Sequence, residues 1–168
     1  VLDYQIIDAK SPTPALVRKK SITYFLKNNF KKIIFADIDD TFSKNRIEMS
    51  LKGLEISDFV FNNVRVVDKN LDLIDNSFFP SANVIPKKIY SYKQILIKNF
   101  LGFSNTAVNV KILKDIEIPP DIIAVDWWIY SVLLLKNYEG TFIDDTFTNY
   151  RQHSKNIIGA NKEINIET

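Results

Sequence analysis

Lys32–Phe42 reads KIIFADIDDTF, a short continuous apolar run that ends in three closely spaced aspartates. Over Lys32–Asp37 such a run marks a strand covered on both faces. Asp37, Asp39 and Asp40 then fall at its carboxyl end, where open α/β sheets bind ligands. Residues two apart on an extended chain point the same way, so Asp37 and Asp39 are expected to converge. Carboxylates crowded together repel one another unless a cation sits between them. Hard oxygen ligands suit Mg²⁺ or Mn²⁺, and such an ion suits a diphosphate. The plainer alternative is an acidic turn followed by a helix start at Ser43.

Upstream of that strand, Tyr4–Asp8 reads as a strand and Ser11–Pro14 as a polar break. Ala15–Asn28 places Leu16, Ile22, Phe25 and Leu26 at helical spacing. Downstream, Asn45–Ile56 predicts a helix, Asp58–Val67 a strand and Asp68–Asp72 a hairpin turn. Tyr90–Phe100 predicts a further helix. Pro119 and Pro120 punctuate the chain before DWWIYSVLLLKN, an apolar helix over Asp126–Asn137, capped by its own aspartate and stopped near Gly140. Thr141–Ile143 and Phe147–Tyr150 read as closing strands. Strands alternating with helices predict an α/β layered domain over residues 1–160, with 161–168 as a C-terminal tail.

The composition narrows the chemistry. A length of 168 residues fits one domain, and 46% hydrophobic with 25% charged residues is ordinary for a globular chain. A net charge of +2 is too small to argue for nucleic acid or a membrane surface as a partner. With no cysteine there is no thiolate nucleophile, disulfide or cysteine zinc site, which fits a reducing compartment. Only four glycines leave no glycine-rich phosphate loop, so a metal or side chains must handle any phosphate. No apolar run reaches the roughly 18 residues of a membrane span. The opening VLDYQIIDAK lacks the basic end and apolar stretch of a signal peptide and reads like the middle of a fold.

Two enzyme classes share the local pattern. Haloacid-dehalogenase-type phosphatases carry an apolar strand followed by D-x-D-x-T, which Asp37, Asp39 and Thr41 match, with Asp37 as nucleophile. Their further acidic pair could be Asp144 and Asp145, but no catalytic lysine stands out. Family-2 glycosyltransferases use a D-x-D element to hold the metal on a nucleotide diphosphate. The rest of the chain resembles the second class over roughly residues 4–160. After the metal motif, DFVFNNVRVVDKNLDLI is similar to that family's strand and hairpin. Asp126-Trp127-Trp128 resembles its acidic residue opening a tryptophan-rich helix. Gly140–Asp144 and then Tyr150-Arg151-Gln152-His153 resemble its closing strand and Y-R-x-H.

The resemblance implies a GT-A-like mixed sheet flanked by helices. It also implies metal-dependent transfer of a sugar from a nucleotide-sugar donor to a carbohydrate or lipid-linked acceptor, with inversion. By that resemblance Asp39 is the first metal ligand, supported by Asp40, and Asp37 touches the ribose or the metal. Asp126 matches the catalytic base, with a helix N-terminal role as its plain alternative. Arg18, Arg151 and His153 match residues around the nucleotide and diphosphate, and Ser104–Thr106 loosely matches a donor-sugar region. Trp127 and Trp128 suit the core better than a sugar platform. In the family a nucleotide-binding βαβ unit precedes the metal motif, which here arrives at residue 37. The expectation is therefore an N-terminally truncated domain, with an open sheet edge that favours a homo-oligomer or completion by another chain. The implied location is cytoplasmic, extending to peripheral contact with the inner membrane face.

Overall fold

The computed structural model describes residues 4–8, 10–76 and 85–152. His153 and the expected tail at 161–168 lie outside the described residues. The chain forms α1 (Pro14–Lys27), β1 (Lys32–Ile34), β2 (Thr41–Phe42), α2 (Arg46–Gly53), β3 (Phe59–Val67), β4 (Leu73–Asp75), β5 (Lys88–Ile89), β6 (Thr106–Asn109), α3 (Val125–Leu135) and β7 (Gly140–Arg151). Among the described residues the strands join in one mixed sheet of order β1-β6-β3-β7-β2, with β4 on β3 and β5 on β7. The long pair β3 and β7 is parallel, and β6 runs antiparallel between β1 and β3. The architecture is mixed α/β, as expected.

Helices cover both faces. The larger core joins Ala15 and Ile22 of α1 and Val125, Ile129, Tyr130 and Leu133 of α3 to Ile33, Phe35, Phe59 and Phe61 from the sheet. A smaller cluster of Leu54, Val60, Ala107 and Ile143 takes Met49 of α2 and Ile34 on the opposite face. The apolar run KII therefore does face packing on both sides, though β1 is an edge strand with one neighbour.

Local chemistry explains the element ends. Thr13 caps α1 by accepting from the Leu16 N–H, and Pro14 at the helix start loses no hydrogen bond there. The Asp68 carboxylate accepts from the Asn70 and Asp72 N–H groups, closing the β3–β4 turn with Leu71 at φ 73°.

Five expectations need correction. Tyr4–Asp8 is irregular rather than a strand. The helix expected over Tyr90–Phe100 shrinks to one 3₁₀ turn, Tyr92–Ile95, which Ser91 and Gln94 close as a capping box. Buried Ile95 is followed by exposed Leu96 and Ile97, which leaves no helical apolar stripe to extend the turn. Helix α3 starts at Val125 with Ala124 as its cap, so Asp126 stands inside the first turn rather than at the cap. Its stop comes from Asn137, in the left-handed region at φ 63°, not from Gly140. The two closing strands are one twelve-residue strand, β7, whose register against β3 shifts between Asn62 and Asn63.

Candidate functional site

The acidic stretch leaves β1 after Phe35, whose N–H still reaches the Thr106 carbonyl of β6. A turn then closes from the Asp40 N–H to the Asp37 carbonyl, at 3.2 Å. Short strand β2 follows at once and pairs with Thr148 and Asn149 of β7. This pairing carries Asp40 to the far end of β7, where its Oδ1 accepts from the Arg151 N–H at 3.0 Å. Residues 111 positions apart thus meet at the carboxyl end of the sheet.

Asp40 is buried, and its Oδ2 has no hydrogen-bond partner among the described residues. Burial pushes its carboxyl above the usual carboxylate range. The nearby Ser104 hydroxyl and the Arg151 backbone N–H pull it back, while Asp39 and Asp37 push it further up by repulsion. The three sequence-predicted carboxylates share one electrostatic neighbourhood. A buried carboxylate oxygen without a donor is chemically suited to a hard cation. Among the described residues, however, no three acidic, histidine or cysteine side chains form a ready-made cation cage.

Asp37 makes an ion pair instead. Arg18 of α1 donates from Nη2 to its Oδ1 at 2.9 Å, both side chains being part-exposed. The Arg18 guanidinium also lies 4.5 Å from the centre of the Phe103 ring, which packs on Phe35. Arg18 and Asp37 are thereby held together at the mouth of the site.

Asp126 stands on the first turn of α3, which packs on the same face of the sheet as α1. Burial pushes its carboxyl up, the Trp127 N–H pulls it down, and the Asp37 charge adds to the rise. Its Oδ1 accepts from that N–H at 2.7 Å. Oδ2 lies 3.7 Å from where a side-chain carbon on Gly102 would stand, so Gly102 leaves room beside the carboxylate. Trp127 packs against the larger core, as expected, but Trp128 departs from that expectation: it is exposed and donates from its indole to the Glu117 carbonyl. Ser104, Asn105 and Thr106 are buried in structural hydrogen bonds, with Asn105 Nδ2 donating to the Asn62 and Phe100 carbonyls.

Sequence reasoning missed two residues beneath the loop. Arg46 is buried, donates to the Phe35 carbonyl at 2.7 Å and to Asn62 Oδ1, and lies over the Phe42 ring. Burial lowers its guanidinium to about 10, opposed by the charges of Asp40 and Tyr130. The available signal was its position on the same helical face as Met49, Ser50 and Gly53. Tyr130 is fully buried, its hydroxyl has no hydrogen-bond partner among the described residues, and burial pushes that hydroxyl up, with the charge of Asp126 adding to the rise. Its place in an unbroken apolar helix gave no hint of this.

No family model matches the chain. Among curated proteins, it is 29% identical over 151 residues to a dTDP-rhamnosyl transferase, RfbG, of Shigella flexneri. That alignment covers 79% of this chain and 47% of the relative, so the chain spans about half the relative's length. The likeness suggests a glycosyltransferase family.

Proposed function

We propose that this chain carries part of the catalytic site of a nucleotide-sugar glycosyltransferase of the GT-A type. One observation carries the reading. Asp126, far along the chain and raised by burial, lies within electrostatic reach of the Asp37–Arg18 pair, in the acidic stretch that follows the apolar strand β1. The likeness to a rhamnosyl transferase supports transfer over phosphate-ester hydrolysis at Asp37, and suggests dTDP-rhamnose as the first donor to try.

In this reading the acceptor oxygen attacks the anomeric carbon as the bond from that carbon to the diphosphate breaks, with inversion. Asp126 takes the acceptor proton, and its raised basicity brings it nearer the pH at which it must work. The diphosphate leaves with the bonding electron pair. Asp39 and Asp40 would hold a Mg²⁺ or Mn²⁺ ion, which would supply positive charge to the leaving diphosphate. Arg18 orients the nucleotide beside Asp37, and Arg151 adds positive charge from the end of β7. His153 belongs to the same proposed diphosphate group.

The test is release of dTDP from dTDP-rhamnose in the presence of Mn²⁺, with and without carbohydrate acceptors. Asp126→Asn should lower the rate about 10²–10⁴-fold while leaving nucleotide binding in place. Equal rates in wild type and Asp126→Asn would remove Asp126 from the chemistry.

A further inference from the structure

Between Asp75 and Asp115 the chain holds six lysines and no acidic residue, although the whole sequence has twenty acidic residues against twenty-two basic ones. The described part of this stretch is folded rather than loose. Strand β5 pairs with Gly140 and Thr141 of β7, and Ile89 and Ile95 are fully buried. Between and beyond those two anchors the chain turns lysines 87, 88, 93 and 98 to the surface. The same short segment exposes Tyr90 at 63%, Leu96 at 60% and Ile97 at 94%. Two acids stand near the end of β7 that pairs with β5: Glu139, just before Gly140, and Asp58, which accepts from the Glu139 N–H.

Exposed aliphatic and tyrosyl groups among lysines, with no carboxylate between them in the chain, suit one kind of partner. The lysines meet phosphate head groups, while the apolar tips enter the boundary beneath them. A folded acidic protein would satisfy the charge but would need a matching apolar surface. A nucleic acid would leave Leu96 and Ile97 in water. We propose that the segment Lys87–Lys98 is a docking face for an anionic lipid surface. From there the chain turns inward through Asn99, Phe100 and buried Leu101 to Gly102, which lies beside Asp126. An acceptor carried on a lipid would thus meet the candidate base close to the surface that holds its anchor. The docking itself does not depend on the transferase reading.

Co-sedimentation with lipid vesicles tests it. The chain should sediment with vesicles of mixed phosphatidylcholine and phosphatidylglycerol, stay in solution with phosphatidylcholine alone, and be released as salt is raised. The double variants Leu96→Ser with Ile97→Ser, and Lys87→Glu with Lys93→Glu, should each lower the bound fraction about tenfold or more, with thermal unfolding unchanged. Failure of the wild type to bind mixed vesicles would overturn the proposal. So would undiminished binding by folded variants, or retention on heparin without vesicle binding. Should a variant fold poorly, the salt dependence and lipid selectivity of the wild type still decide.

Discussion

Asp126 shows how one carboxylate joins stability to chemistry. Its folded carboxyl titrates above the ordinary 3.8 because burial disfavours the charge. The folded chain therefore keeps that proton over a range in which the unfolded chain has lost it. Stability contributed by this group is present below 3.8 and declines as pH rises through the folded value. Asp126→Asn removes the charge while its side-chain oxygen can still accept from the Trp127 N–H. The variant should melt higher than wild type at pH 7, and the difference should close as the pH falls towards 3.8. Arg46 makes the opposite case. Arg46→Met would leave the Phe35 carbonyl and Asn62 Oδ1 without their donor, at a cost of about 1–3 kcal/mol in a urea melt. Of these two, Asp126 was legible because an acid opening a tryptophan-rich helix stands out. Arg46 was not, because a buried arginine and a solvated one look alike until the helix face is known.

The elements divide along similar lines. FVFNNVRVV was readable as β3 from its apolar content and the turn chemistry of Asp68 that ends it. Nothing in Thr106–Asn109 marks a central strand, yet β6 fills the gap between β1 and β3. Four residues are too few to show a period, and only the register of their neighbours identifies them. Gly140 was read as a helix stop, but its work is elsewhere. A side-chain carbon there would lie 2.1 Å from the buried Phe59 ring, which itself packs on Tyr130. Gly140→Ala should therefore lower stability by about 1–3 kcal/mol in a urea titration. Gly102→Ala, whose nearest contact would be 3.3 Å, should cost less. Little change at Gly140 would show that Phe59 can move aside.

On the scale of the whole molecule, the layout brings together what the sequence separates. The antiparallel return through β2 joins Asp40 to Arg151, and the packing of α1 and α3 on one face joins Arg18, Asp37 and Asp126. The D-x-D spacing and the order of later motifs made the acidic cluster and Asp126 foreseeable. Arg18 was named by resemblance alone, and its pairing with Asp37 was not foreseen, since a part-exposed arginine carries no local mark. Whether the carboxylates hold a cation on a nucleotide is the central claim. Calorimetric titration of dTDP, with Mn²⁺ present and then absent, tests it on wild type and Asp39→Ala. The account predicts binding to wild type that requires Mn²⁺ and is lost in the variant. Binding of equal strength without the metal, or undiminished in Asp39→Ala, would contradict it.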